Sequence, residues 1–596
     1  MSGFFKLVSS CSPVFGKSPS GSSSEGSDAE LHPLVTGTLK RRPRTTHNRT
    51  HSAPDFARPG SGFSPLPQKS SGNLVDVFTE IPSGSAVLVK QTIYSFNGKK
   101  TEVPSGTLHT VRRVGELMRE GAPDPSEKMY FFGFMKPEDF PLLYRDRAQL
   151  ELTQYVAEFS RKMKPKVGKD EMRELVVFVM GRGVPLISIL KTTGKVTQNP
   201  VLADSDVSRR VWLQKYLFPY WETTDKEAYR KFIGYAFEVL GGNSYTREGE
   251  KDLRLELENI DHLFGHDGLR DARDSLVGKN PDMVRGMNGI FQAILDDVSM
   301  LQKLPQSESE RNGVASEVLG RVESKLSAFN LGMDSGTFNT ASCDVLKTLY
   351  VGSELEQMVA SIPGRIKMEK VIVKRLVDAF IDWTLDFRAT ISIKECWREV
   401  VDEYRKYYES NIWEARNRLS STEKIPLTVY TMNRKGTSAV RQTFVVGDAI
   451  RGLPSIPTLL KLEIHLDDTE KQEIESVFKR LDEHAEMHVF FTNDAFSFMR
   501  EFKDGVRENC VRVYYEGSQR LDQSFKNTTD EINTHFDSFH REKKDLIVLL
   551  EKLRNARRLS QETYDKIVSK IEVRLDWMEG NREWSGDSPR YSAIKL

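Results

Sequence analysis

Cysteine is scarce. The 596 residues hold four, Cys11, Cys343, Cys396 and Cys510, none at CxxC spacing. That excludes a disulfide framework and a cysteine-built zinc site, and it suits a reducing compartment. No apolar run approaches the ~20 residues that span a bilayer. Met1 to Ser10 is too short and unflanked for a signal peptide, and Ser2 stands where myristoylation requires glycine. Net charge is nearly absent as well: 86 Lys and Arg face 85 Asp and Glu, leaving +1. Whole-chain charge therefore favours neither nucleic acid nor membrane. No G-x-S-x-G elbow and no Gly-rich dinucleotide fingerprint follows a strand. Thr192-Thr193-Gly194-Lys195-Val196 fails as a phosphate loop, because Ile189 replaces its first glycine and Val196 its hydroxyl residue.

Residues 1–72 are rich in what breaks regular structure. Ser, Pro and Gly supply 31 of them, too little apolar surface to offset ordering, so this arm is expected to be disordered. Lys40, Arg41, Arg42 and Arg44 form a basic patch in a window, 31–54, without an acidic residue. Such a patch attracts phosphate backbones, anionic lipid or an import receptor, or simply solvates the tail. Without aromatic neighbours to stack bases, any RNA contact would be non-specific. Arg49-Thr50-His51-Ser52-Ala53-Pro54 resembles the phosphoserine motif read by 14-3-3 adaptor proteins. The resemblance rests on Arg49, Ser52 and Pro54 and implies a phospho-docking site.

Order is expected from Asn73. Leu74 to Glu80 and Ala86 to Phe96 look like strands, and Asn97-Gly98 suits a hairpin turn into Lys99 to Val103. Leu175 to Met180 and Val184 to Leu190 read as a buried hairpin across Gly181-Arg182-Gly183. These define an α/β domain, 73–200. Helical periodicity dominates 205–420. One face there carries Tyr229, Phe232, Ile233, Ala236, Phe237 and Leu240, with Gly241-Gly242 as a stop. Residues 425–517 read as a second small α/β unit, with strands at Leu427–Met432, Val440–Val446 and Leu460–Leu466. A helix is capped at Asp468 or Thr469.

Coiled-coil-like helices fill 518–580. Steps of four and three from Leu521 reach Phe525, Thr528, Ile532, His535, Phe539, Glu542, Leu546, Leu549, Leu553 and Ala556. Ser560 can cap a following helix, and 581–596 read as a flexible tail. Asp261-His262 with His266-Asp267 and Asp271 has metal-like spacing, but Gly265 and Gly268 make it read as a polar helix end. The pair His484 and His488 is treated alike. Tyr591-Ser592-Ala593-Ile594 fits a tyrosine sorting pattern that has little use without a membrane anchor.

The expected fold is mainly α with α/β parts. The expected role is an intracellular, self-associating interaction and assembly scaffold, regulated by phosphorylation of its arm. Leu521, Phe525, Ile532, Phe539, Leu546, Leu549 and Leu553 would drive homo-oligomerisation. The alternative is an RNA-binding assembly protein, such as a viral nonstructural or capsid-associated component. The expected location is cytoplasmic with nuclear access. No catalytic residue, cofactor or metal ligand is assigned, so no enzyme is expected.

Overall fold

The structure is a computed structural model. It describes residues 92–94, 100–102 and 105–596, save residues 120, 140–144, 195, 272–274, 279, 306, 335–351, 420–423, 505, 519 and 592. The basic patch Lys40, Arg41, Arg42 and Arg44, the motif Arg49, Ser52 and Pro54, and the strand expected at Leu74 to Glu80 lie outside the described residues.

A two-stranded antiparallel ladder, β1 (Thr92–Tyr94) with β2 (Lys100–Glu102), comes first. An α/β layer follows: α1 (Ser105–Met118), β3 (Glu127–Met135), α2 (Arg145–Met163), α3 (Lys169–Arg182) and β4 (Val184–Lys191). The rest is helical up to Asp587. It runs through α4 (Leu202–Tyr216), α5 (Lys226–Ile233), α6 (Phe237–Ser244), α7 (Glu250–Asp271), α8 (Pro281–Ser299) and α9 (Glu308–Asp334). It continues with α10 (Ser353–Thr390), α11 (Lys394–Leu419), α12 (Leu427–Thr437), α13 (Val440–Ile450) and α14 (Ile456–Lys461). The last helices are α15 (Asp468–Asp504), α16 (Cys510–Ser518), α17 (Leu521–Asn555) and α18 (Gln561–Asp587), before the strand β5 (Ile594–Lys595). The mainly helical expectation holds. No helix among the described residues is long and apolar enough to cross a membrane.

The sheet order is β4-β3-β5, antiparallel throughout. Only half of the hairpin expected at 175–190 forms. Val184–Lys191 is a strand, but Leu175 and Val179 are buried on helix α3, one turn apart. The strands expected at Leu427–Met432, Val440–Val446 and Leu460–Leu466 are instead helices or turns, because burial on several sides produces apolar runs that do not distinguish the two periods. Gly241-Gly242 does not end its helix. It lies inside α6, where a Cβ would stand 2.3 Å from Leu257 Cδ2 or 2.6 Å from Leu202 Cδ2. The chain instead breaks at Ala236, whose φ of 56° is left-handed.

The ridge on α17 corrects the self-association expectation. Leu521, Phe525, Ile532, Phe539, Leu546 and Leu553 are buried, and Leu549 is partly so, under helices of the same chain, chiefly α15. A surface already covered cannot receive a second copy, so these residues build the core. The seam's polar members have partners within the chain: His535 meets His484 at 3.0 Å and Glu542 accepts from Arg480 at 2.9 Å. Residues 581–596 are not a loose tail, since α18 extends to Asp587 and β5 pairs with β3.

Both late helices start where their caps dictate. Asp467 Oδ1 accepts from the Glu470 amide at 2.9 Å and Glu470 returns to the Asp467 amide, a capping box one residue earlier than expected. Ser560 Oγ accepts from the Thr563 amide at 3.1 Å. The position of α15 matters most, because its C-terminal half borders a cavity in the helical body.

Candidate active site

The helical body surrounds a cavity with roughly 1030 Å³ of unfilled space, its open mouth included. Its wall changes character along each helix. On α7, Ile260, Leu263 and Phe264 give way to Asp267 and Arg270. On α15, Val489 and Phe490 give way to Asn493, Arg500 and Glu501. On α11, Tyr407 precedes Glu414, and Trp577 and Trp584 on α18 precede Arg590 in the segment after that helix. The steps of three, four and seven keep each set on one helix face. The result is an apolar pit with charged and amide groups grouped on its wall.

The chain between α12 and α13 contributes a break. Ala439, at φ 60° and ψ 7°, separates the two helices, and Thr437, Ser438, Ala439 and Val440 all border the cavity.

One polar cluster is cationic. Arg434 Nη2 donates to Asn493 Oδ1 at 3.0 Å and to Asp494 Oδ1 at 3.0 Å. Asn493 Nδ2 donates to the Tyr591 hydroxyl at 2.7 Å, and Arg500 lies over the Tyr591 ring at 5.9 Å. Burial pushes the Tyr591 hydroxyl above its ordinary range despite Arg590 and Arg500 nearby, so it stays protonated. Arg590 stacks on Phe264 at 4.8 Å. Its Nε and Nη1 are buried and meet no acceptor among the described residues. Donors left in that state are costly, which points to an anion as the missing partner.

A second cluster pairs acids with Arg270, which reaches Asp267 and, at 3.1 Å, Glu414. Asp267 belongs to the stretch read from sequence as a helix end. The helix continues to Asp271, so Asp267 faces the cavity from its last turns. His262 and His266 instead point into the core. His262 stacks on Phe380 at 4.4 Å, and burial, with His266 adding, holds it well below its usual titration range.

Asn493, Ser497 and Glu501 occupy positions i, i+4 and i+8 of α15, and Asn493 and Glu501 border the cavity. Ser497 is buried between its neighbours. Its Oγ and Glu501 Oε2 both accept from Asn509 Nδ2, at 3.4 and 2.9 Å. Amide, hydroxyl and carboxylate oxygens suit a hard divalent cation such as Mg²⁺, which usually takes few protein ligands and completes its shell with water and phosphate. Among the described residues no group of three or more His, Cys, Asp or Glu could hold a metal by itself. The donor set thus fits a cation shared with a phosphorylated ligand.

None of the functional residues assigned from sequence lines this cavity. The spacing of Asn493, Ser497 and Glu501 was the available signal, masked by the expectation of a small α/β unit over 425–517. Residues 351–538 match the family profile described as terpene synthase family 2, C-terminal metal binding. No curated protein matches the chain. Among solved structures, the chain is similar to germacradien-4-ol synthase from Streptomyces citricolor, with 16% identity, TM-score 0.43, and coverage of 66% of this chain and 97% of that one. A linalool/nerolidol synthase from Streptomyces clavuligerus gives 15%, 0.39, 66% and 98%.

The family match overturns the functional expectations. The match of residues 351–538 to a profile of metal-binding terpene synthases contradicts the scaffold, the RNA-binding assembly protein and the expectation of no enzyme. The self-association, 14-3-3 and RNA partnerships, and the coiled-coil and phosphoprotein labels, are corrected by the same finding.

Proposed function

We propose that the chain is a terpene synthase acting on an isoprenoid diphosphate. The observation that carries this reading is the cavity's division into an aromatic pit and a polar wall, with Asn493, Ser497 and Glu501 inside the family-matched segment. Arg434, Arg500 and Arg590 suit the phosphate oxygens, since guanidinium groups pair with them through planar forks. Asn493, Ser497 and Glu501 would hold a divalent cation, with Asp267 as a further carboxylate on the same wall. When bound, that cation neutralises charge on the departing phosphate.

The reaction needs little else from the protein. The allylic C–O bond breaks and its electron pair leaves with diphosphate. The carbocation left behind is attacked by the π electrons of a distant double bond, and loss of a proton ends the sequence. Phe264, Phe490, Trp577 and Trp584 present π systems that stabilise a cation without reacting with it. The apolar wall folds the hydrocarbon chain and excludes water.

The test is direct. Full-length protein is incubated with Mg²⁺ and with ten-, fifteen- and twenty-carbon prenyl diphosphates separately, and solvent extracts are analysed by gas chromatography–mass spectrometry. A cyclic or rearranged hydrocarbon or alcohol from at least one is expected. Recovery of only the uncatalysed hydrolysis products from all three would end the reading.

A further inference from the structure

We infer that the α/β layer is a clamp that holds Ser588–Tyr591 against the cavity, so that Arg590 and Tyr591 are positioned by a strand pair remote from the chemistry. This rests on the reading above and adds positioning residues to it.

The argument starts at β5. Phe131 pairs with Ile594 and Tyr130 with Lys595, and the Leu596 amide donates to the Met129 carbonyl at 3.0 Å. The segment that brings Arg590 to the cavity wall, with Tyr591 buried beside it, is therefore tied down a few residues further on. At its other end Ser588 Oγ donates to the Tyr235 carbonyl at 3.0 Å, and the Tyr591 amide donates to the Ser588 carbonyl at 3.1 Å.

A clamp needs a fixed anvil, and β3 has one. Asn533 on α17 joins β4 through both ends of its amide: Oδ1 accepts from the Lys191 amide and Nδ2 donates to the Ile189 carbonyl, each at 2.9 Å. Arg582 on α18 donates to the Tyr130 hydroxyl at 2.9 Å and to Thr192 Oγ1 at 2.7 Å. The Tyr130 ring comes so close to α18 that a Cβ on Gly586 would stand 2.6 Å from its Cε1. Helix α18 thus has two working faces. Glu579, Arg582 and Gly586 grip the α/β layer, while Trp577, Asn581 and Trp584 line the cavity.

The strand pair matters because Arg590 is left with unpaired donors among the described residues. A guanidinium held that way binds an anion with its ordering already done. Released from the strand pair, the segment would lose that advantage while the helical cavity stayed intact.

The probe is inorganic pyrophosphate with Mg²⁺, measured by titration calorimetry on four full-length backgrounds: unmodified, lacking Ile594–Leu596, Arg590→Ala, and both changes together. Truncation is expected to weaken pyrophosphate by about tenfold, the worth of one charge-assisted contact. Arg590→Ala should do the same, and the double change should lose no more than Arg590→Ala alone. Ile594→Pro, which removes a strand donor and leaves the Tyr130–Arg582 contact in place, repeats the measurement if truncation lowers the melting temperature. Undiminished binding after both strand changes, or fully additive losses, would overturn the clamp. The two readings separate cleanly. Product formation with undiminished pyrophosphate binding in the truncated chain sinks the clamp alone. Clamp-dependent pyrophosphate binding without any terpene product from the unmodified chain sinks the proposed function alone.

Discussion

The Asn493 side chain donates to the Tyr591 hydroxyl at 2.7 Å while its oxygen accepts from Arg434. One amide thus joins helix α15 to the segment after α18 at the cavity wall. Replacing Asn493 by Ala removes a proposed cation ligand and this bridge together. Turnover should fall roughly a hundredfold, the scale of losing one group aimed at developing charge. Asn493→Asp keeps an oxygen but loses the donor to Tyr591, so it should fall between the two. Steady-state kinetics with circular dichroism as the folding control decides. Unchanged turnover in Asn493→Ala would remove the residue from the site.

Metal dependence follows from the same face. Protein stripped with EDTA should lose turnover, and Mg²⁺ should restore it. Glu501→Gln exchanges a carboxylate oxygen for a neutral one and should raise the Mg²⁺ needed for half-maximal rate by about tenfold or more. The measurement is rate against free Mg²⁺, and superimposable curves for variant and unmodified chain would contradict the assignment.

Helix was legible in this sequence and the site was not, for related physical reasons. The ridge from Leu521 to Leu553 shows its period because one side of α17 is wet. The same ridge does not say whether its cover is another copy or the neighbouring α15, since both bury it equally well. Phe444, Val446, Leu459 and Leu460 are buried from several directions, so their runs imitate strands. The cavity needs side chains separated by more than three hundred residues, from Leu240 to Arg590. Only the oxygen spacing of Asn493, Ser497 and Glu501 could be read locally, and three polar residues on a helix face are unremarkable until the fold sets Asn493 and Glu501 against a cavity.

Product choice should depend on Tyr407. Asn288 Nδ2 is committed to the Tyr408 carbonyl at 2.9 Å, so its Oδ1 accepts from His266 Nε2 at 2.9 Å. That fixes the tautomer, and His266 Nδ1 accepts the Tyr407 hydroxyl at 3.1 Å. A wall hydroxyl backed by an imidazole can take a proton from a nearby carbocation. Tyr407→Phe should leave substrate consumption within a few-fold and shift the ratio of olefin isomers. An identical product profile would exclude Tyr407 from the terminating step.

Stability should be sensitive to one buried network. Asp448 accepts from Lys570 and Arg574, each at 2.6 Å, and Arg574 also donates to Asp482 at 2.7 Å. Asp448→Ala takes the carboxylate from buried Lys570 and one of the two from Arg574, which costs about 3–5 kcal/mol. Urea unfolding measures it, and a loss below about 1 kcal/mol would show that water reaches the site.

Asp576 gives stability a pH dependence of known sign. Burial raises its carboxyl to about 6, against the hydrogen bond from Thr246 and the charges of Arg451 and Arg247, with Glu248 adding to the rise. The unfolded chain releases the same proton near 3.9. The folded state therefore holds that proton more tightly. The stabilisation is complete below about pH 4, fades as pH rises through 6, and leaves a buried charge at neutral pH. Asp576→Asn keeps an oxygen for the Thr246 hydroxyl and removes the charge. It should raise the melting temperature at about pH 7.5 by the equivalent of ~1–3 kcal/mol. The gain should shrink toward pH 5 and vanish near pH 4. A gain independent of pH would mean that packing, not ionisation, separates the two side chains.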